Sequence, residues 1–158
     1  MLFFLVHTKG KSGIKIEIST REIEKVNKYE LIEFYGTSMF VMKKEDIFAN
    51  KLIALKNRHS ASPRDLYDIN YFFKQNWDIS EKIVETVTGL RLLDYMKDLP
   101  KYIENNFNKE TIHFGLGELV DNESQRDFVK NKLIMDTINQ INFYIDSKKR
   151  GKWFTYIH

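Results

Sequence analysis

The chain has 158 residues, of which 42% are hydrophobic and 30% are charged, and its formal net charge is +3. This length fits one domain with a sizeable core, and the apolar content excludes a disordered tail. The sequence contains no cysteine, which excludes disulfides and thiolate metal sites, while the mild basic excess is compatible with an anionic partner such as a nucleotide or RNA.

The first residues predict a β-hairpin. "LFFLVHT" is rich in strand formers, "KGKSG" supplies turn residues, and "IKIEIST" alternates apolar and polar side chains. The alternation places Ile14, Ile16 and Ile18 on one face and Lys15 and Glu17 on the other.

The opening apolar run does not read as a targeting segment. It lacks a cationic lead-in and a small-residue cleavage site, so a signal peptide is not expected. No stretch approaches the roughly 18 to 20 apolar residues that span a bilayer. We therefore expect a soluble cytoplasmic protein.

The next elements are two short strands and two helices. "ELIEFYG" and "MFVMK" predict strands around residues 36–38, and from Lys44 to about Arg58 the apolar spacing becomes helical. "HSASP" ends this helix, after which Ser62 suits the N-cap and Pro63 the first position of a second helix. The apolar face of that helix is formed by Leu66, Ile69, Phe72 and Phe73.

The rest of the chain is predicted to be helical. "SEKIVETVTGL" and "LRLLDYMKDLPKYIENNF" carry apolar residues at three- and four-residue intervals, with Pro100 as a kink or boundary, and "GLGE" marks a loop. One long C-terminal helix is predicted from about Glu123 to Asp146. Its apolar stripe contains Phe128, Leu133, Ile134, Ile138, Ile141 and Ile145.

This order of elements predicts an α+β fold, in which a small antiparallel β-sheet at the N-terminus packs against a C-terminal helical bundle. We expect residues 1–43 to form the sheet part and residues 44–158 the helical part of one compact domain, 1–158.

Four charged side chains on the two predicted helices could form a phosphate-handling site. Lys51 and Arg58 are seven residues apart, and Asp65 and Asp68 are three apart, so each pair shares a helix face. A short connection would pack the helices as a hairpin and set the cations opposite the carboxylates. Such a site uses a lysine for phosphate charge and carboxylates to hold a divalent metal or orient a neighbour.

An ordinary structural interpretation competes with this one, and spacing alone favours it. Asp65 fits the third position of a capping box, Arg64 and Asp68 could form a surface pair, and Lys51 could be solvated. Glu17 could be a metal ligand beside other carboxylates, but a strand glutamate more often pairs across the sheet with a lysine or arginine.

The two helices also resemble a known family. "EDIFANKLIALKNR" followed by "RDLYDINYFF" resembles the signature half of the AbiEii-type nucleotidyltransferase toxins. These toxins belong to the polymerase-beta-like nucleotidyltransferase superfamily and act in bacterial toxin–antitoxin and abortive-infection systems. "IKIEIS" resembles the preceding family strand. The match extends from about Phe4 to Phe73.

The resemblance assigns roles to the charged residues, and for Lys51 and Asp65 it favours a functional role over the ordinary structural one. It implies that Lys51 binds the triphosphate, that Asp65 is the later catalytic aspartate, and that Glu17 is a third carboxylate and a metal ligand. Asp68 is the second choice for that aspartate, because at its position it could mainly support the helix. The resemblance implies further nucleotide-binding side chains at Arg58, Arg64 and Asp68.

The sequence departs from the superfamily pattern at its front. Superfamily members carry a Gly-Ser turn followed by a pair of acidic residues that bind the catalytic metals. No such pair precedes Glu17, and "LFFLVHT" contains no acid. A single glutamate cannot hold two metal ions. We therefore expect that the front third of the enzyme is absent from this chain, through truncation or because a separate chain encodes it.

The resulting expectation is a C-terminal portion of an AbiEii-like nucleotidyltransferase. The family reaction is Mg²⁺-dependent transfer of a nucleoside monophosphate from a nucleoside triphosphate to an acceptor, which we take to be RNA, and the chain alone is expected to be weak or inactive. Implied protein partners are an antitoxin or a missing N-terminal half. Two alternatives remain open: a non-enzymatic module that binds a nucleotide or a partner, and a mainly structural helical domain.

Overall fold

A computed structural model of the chain describes residues 2–5, 14–17, 26–116, 120 and 122–154, and it describes side chains within residues 26–114, 116, 120 and 122–151. Two strands, β1 (Leu2–Leu5) and β2 (Ile14–Glu17), pair antiparallel, with Leu2 opposite Glu17. The predicted N-terminal hairpin is therefore confirmed. Ile18 and part of the predicted "GLGE" loop lie outside the described residues.

A second hairpin is formed by β3 (Tyr29–Phe34) and β4 (Thr37–Met42). Its two turn residues, Tyr35 and Gly36, have φ of 48° and 74°, which is the backbone of a type I′ turn. The turn is thus shorter than the predicted 36–38 segment. Among the described residues no third strand pairs with this hairpin, so the strands form two separate two-stranded sheets.

The base of the second hairpin is tied to the first helix, α1 (Lys44–Asn57). The backbone N–H of Lys28 donates to the buried carboxylate of Asp46, and Asn50 Nδ2 donates to Asn27 Oδ1 at 2.9 Å. These bonds fix where the strands meet the helices.

The second helix, α2 (Pro63–Lys74), begins with Ser62 at the N-cap and Pro63 in the first turn, as predicted. The capping-box interpretation is wrong, because the Ser62 side chain accepts no backbone N–H. The Asp65 carboxylate points instead towards α1, where it meets cations.

Three shorter helices follow, and their bounds agree with the predicted boundary at Pro100. Pro100 lies in the first turn of the third of them, where the missing N–H has no cost. The three helices are α3 (Glu81–Thr88), α4 (Leu92–Lys97) and α5 (Leu99–Asn106).

The single long C-terminal helix is a wrong prediction. After a 3₁₀ helix (Ile112–Gly115), the structure has α6 (Glu123–Asn131) and α7 (Leu133–Phe154), separated at Lys132, whose φ is −125°. No glycine or proline marks this break. It follows from packing, since α6 packs against the 3₁₀ helix and α7, while α7 packs against α2 and α5.

A buried polar set joins α2 to α7. Asn70 Nδ2 donates to Asp136 Oδ2 at 2.9 Å and to Thr137 Oγ1 at 3.1 Å, and Thr137 Oγ1 donates to the Leu133 carbonyl at 2.7 Å. Lys74 lies 2.9 Å from Asp136 Oδ2. We call these residues the Asn70 network.

The order of the elements, strands first and helices after them, confirms the α+β class. The hydrophobic core lies between the helices. Around the contacts of α2 with α1 and α7, the buried side chains include Phe48, Leu52, Leu55, Leu66, Ile69, Phe72, Phe73, Ile138, Ile141 and Ile145. None of the helices within the described part of the chain is long and apolar enough to cross a membrane.

Candidate functional site

The contact between α1 and α2 is apolar in its centre. Phe48 packs edge-on against Phe72 and Phe73, with ring centroids 5.4 Å and 4.8 Å apart, and Leu52 and Leu66 are fully buried. Because the apolar faces fix the rotation of both helices, the polar residues that flank them are brought to opposite sides of one seam.

Lys51 of α1 stands between two carboxylates of α2. Its Nζ lies 3.1 Å from Asp65 Oδ1 and 2.9 Å from Asp68 Oδ2. The Asp65 side chain is 1% exposed and that of Lys51 24%, so the aspartate is at the bottom of the seam and the ammonium is nearer the surface. An ammonium has three donors, and this arrangement leaves one for another acceptor.

Arg58, two turns further along α1, approaches the other oxygen of Asp65. Its Nε is 2.7 Å from Asp65 Oδ2, but this oxygen has no hydrogen-bond partner, so the contact is an ion pair without an aligned N–H. The contact does not involve the two terminal nitrogens of Arg58, and the Arg58 side chain is 54% exposed. We call Lys51, Arg58, Asp65 and Asp68 the Lys51 cluster.

The electrostatics of the cluster keep Lys51 charged. Burial by itself lowers the pKa of Lys51, but the hydrogen bonds and charges of Asp68 and Asp65 outweigh it, and the pKa is raised above its usual value of 10.5. At neutral pH Lys51 is therefore a cation in a partly buried seam.

Helix α4 supports the cluster from behind. Tyr95 Oη donates to the carbonyl of Leu52, the residue after Lys51, at 3.1 Å, and Lys56 Nζ lies 5.0 Å from the Tyr95 ring centre. Burial raises the pKa of Tyr95 to about 12. Sequence reasoning missed this residue, because a tyrosine 43 positions from its partner leaves no local signal.

The structure places the other predicted site residues elsewhere or does not describe them. Arg64 is exposed and forms no salt bridge with any side chain that the structure describes, and Asp68 pairs with Lys51 instead. Glu17 is the last residue of β2, and its side chain lies outside the described residues. The predicted roles of both residues therefore stay predictions.

The described side chains do not fit a magnesium centre. Within them no three His, Cys, Asp or Glu residues cluster so as to hold a metal ion. Asp65 and Asp68 both face Lys51, whose charge opposes a cation at the same place. The second oxygen of Asp65, Oδ2, lies 2.7 Å from Arg58 Nε, so both oxygens of this carboxylate face cations, and the cluster does not supply the six oxygen ligands that Mg²⁺ prefers.

The comparisons with known proteins agree with the position of this cluster in the chain. The family model described as nucleotidyl transferase AbiEii toxin, type IV toxin–antitoxin system, matches residues 3–135, which include both helices of the seam. No curated protein and no solved structure matches the chain significantly.

Proposed function

The chain belongs to the AbiEii nucleotidyl transferase toxin family, and from this premise we propose that the Lys51 cluster binds the phosphates of a nucleoside triphosphate. The observation that carries the proposal is the placement of Lys51 Nζ between Asp65 and Asp68, 3.1 Å and 2.9 Å away. Two carboxylates fix the ammonium and leave one of its donors for a phosphate oxygen.

In this proposal Asp65 positions the two cations. Its Oδ1 orients Lys51 and its Oδ2 is next to Arg58, so a single buried carboxylate sets the distance between both positive groups. Arg58 contributes its terminal nitrogens to phosphate oxygens, and Asp68 keeps Lys51 extended. Glu17 and Arg64 remain candidates for a metal ligand and for an acceptor contact, by resemblance alone.

The proposed family reaction is transfer of a nucleoside monophosphate to an acceptor, which we take to be RNA. An acceptor oxygen forms a bond to the α-phosphorus, the bond from that phosphorus to the bridging oxygen breaks, and pyrophosphate leaves. We derive no step through Mg²⁺, because the described residues do not fit it. The cell compartment we propose is the cytoplasm, where nucleotides and RNA are found.

We further propose that these 158 residues alone transfer nucleotides poorly, since no pair of acidic residues precedes Glu17 in the sequence. Efficient incorporation of nucleotide into RNA by the purified chain, abolished by Lys51→Ala, would refute this part. Nucleotide binding would then still stand.

The binding proposal is tested by calorimetric titration with a nucleoside triphosphate, with and without Mg²⁺. We expect Lys51→Ala to weaken binding at least about tenfold, because a charge-assisted contact is lost. Lys56→Ala is the matched control, since Lys56 is on the same helix but faces Tyr95. No heat of binding for the wild-type chain, or equal affinity for the two variants, would reject the proposal.

A second candidate function is a non-enzymatic module that binds a protein partner, and one observation favours it. The β3–β4 hairpin exposes large apolar side chains on both faces, among them Leu31 (61%), Phe34 (57%) and Phe40 (76%). An antiparallel sheet normally leaves a polar face to water. A chain that binds an antitoxin or an N-terminal half but no nucleotide would support this candidate over the first.

A further inference from the structure

A cavity of about 500 Å³ lies between α6 and the 3₁₀ helix, away from the Lys51 cluster. Its volume falls within the range of small-ligand sites. The 3₁₀ helix packs against α2, the helix that carries Asp65, so the cavity and the cluster are built on a shared element. The cavity is lined by His113, Phe114, Val120, Arg126, Val129 and Lys130.

The described charged side chains of this cavity are cationic. Arg126 and Lys130 are four residues apart on α6, so they project from the same side of the helix. Arg126 Nε donates to the Val120 carbonyl at 3.3 Å. This bond holds the guanidinium in place and does not use its two terminal nitrogens, which can donate to a ligand. Neither residue forms a salt bridge with a side chain in the described part of the chain.

An exposed aromatic ring stands at the same cavity. The Phe114 side chain is 77% exposed, and its ring centre is 4.1 Å from that of His113. A flat apolar ring open to solvent, beside two cations that form no salt bridge with a described side chain, fits a ligand with an aromatic face and a negative charge. A nucleotide has both features.

A second cavity of similar size differs in that its cations are paired with acidic side chains. It has a volume of about 530 Å³ and lies between α3, α4 and α7. Its Arg91 and Lys97 are both bound to the Asp94 carboxylate, at 2.8 Å and 2.7 Å, and Glu81 and Glu85 also line it. Of these two cavities, the one at α6 presents described cations without described acids.

We propose that the cavity at α6 binds one nucleotide of a single-stranded nucleic acid, with the base stacked on Phe114 and the backbone phosphate held by Arg126 and Lys130. An exposed ring can stack only a base that is free of its partner strand, which favours a single strand over a duplex. The role of this strand as the acceptor in the transfer reaction rests on the proposed function; the binding does not.

The test is fluorescence anisotropy of a short labelled single-stranded RNA with the full chain, without nucleoside triphosphate or Mg²⁺. Phe114→Ala and Phe114→Leu should each weaken binding about tenfold, because both remove the stacking surface and only leucine keeps an apolar side chain. Phe143→Ala is the matched control, as Phe143 is 68% exposed on α7 and should leave the affinity unchanged.

The contribution of Arg126 and Lys130 to RNA binding is measured from the salt dependence of the affinity. The double variant Arg126→Gln, Lys130→Gln should bind more weakly and should lower the slope of log affinity against log salt by about two, since two phosphate contacts are lost. Lys101→Gln, Lys109→Gln removes the same charge at exposed positions of α5 and the turn after it, and should keep the slope.

The proposal would be overturned by an absence of RNA binding to the wild-type chain, by wild-type affinity in both Phe114 variants, or by equal competition from duplex RNA. A free nucleoside monophosphate that competes as well as the strand would also overturn it. Lys51→Ala separates the two proposals, because it should weaken triphosphate binding at least about tenfold and preserve RNA affinity. RNA binding without any triphosphate binding would reject the proposed function and support this site.

Discussion

The two ends of helix α2 both bury polar side chains, but they satisfy them to different degrees. In the Asn70 network, Nδ2 reaches Asp136 and Thr137 at 2.9 Å and 3.1 Å, and Thr137 in turn donates to a backbone carbonyl. In the Lys51 cluster, Asp65 is equally buried, yet its Oδ2 has no hydrogen bond.

We interpret this difference as one between a structural role and the proposed binding role. A buried network with its donors and acceptors matched fixes the packing of two helices and gains nothing from a ligand. In our proposal, the buried carboxylate of Asp65 instead orients Lys51 and Arg58, whose nitrogens lie 3.1 Å and 2.7 Å away, towards the phosphates of a ligand. One helix thus carries its anchor to α7 at one end and its candidate binding site at the other.

The largest expected effect on stability is at the anchored end. Asn70→Ala removes the donor shared by Asp136 and Thr137 and should lower the free energy of unfolding by about 2 kcal/mol, while triphosphate affinity stays unchanged. Urea denaturation measures the first quantity and calorimetry the second.

The control for this prediction is Asn131→Ala. Asn131 is exposed and bonds only within its own helix, to Asp127 Oδ1 at 2.7 Å, so the expected loss is below about 0.5 kcal/mol. Equal losses for the two variants would mean that the Asn70 network does not anchor α2.

A smaller effect is expected inside the cluster, at the more exposed of its two carboxylates. Asp68 pairs with Lys51 at side-chain exposures of 31% and 24%, and such a pair contributes less than about 1 kcal/mol. Asp68→Asn should therefore cost little stability, and it should retain triphosphate binding because Asp65 still holds Lys51.

Asp65→Asn is the comparison for Asp68→Asn. It weakens both cation contacts of the seam and should lose most of the triphosphate affinity measured by calorimetry. If Asp68→Asn were as damaging to binding as Asp65→Asn, the two carboxylates would share one role, and the assignment of Asp65 as the positioning residue would fail.

The sequence predicted the helices of the seam well, because the information is local. The apolar period gave α1 its bounds within a residue, and Pro63 after Ser62 set the start of α2. Spacing and a short connection made it possible for Lys51 and Arg58 to face Asp65 and Asp68, but only the family resemblance favoured this arrangement over ordinary surface charges, and the structure brings the four side chains together.

What could not be predicted depends on partners far apart in the chain. Asn70 meets Thr137 across 67 positions, and the Lys28 N–H meets Asp46 across 18, with no periodic signal at either. The break at Lys132 has the same origin, because only the packing of α6 and α7 on different neighbours interrupts an otherwise continuous helical pattern.

The smallest expected effect is an absence of pH dependence at the cluster. The pKa of Lys51 is raised above 10.5 in the folded chain, so the stability that its pairing contributes is fully present below pH 10.5 and is lost as pH rises through the folded pKa. The difference in free energy of unfolding between wild type and Lys51→Met should therefore stay constant from about pH 6 to about pH 9 and shrink only in strong alkali. A difference that changes near neutrality would show that a group other than Lys51 titrates in the seam. The comparison between the Asn70 network and the Lys51 cluster would then have to include that group.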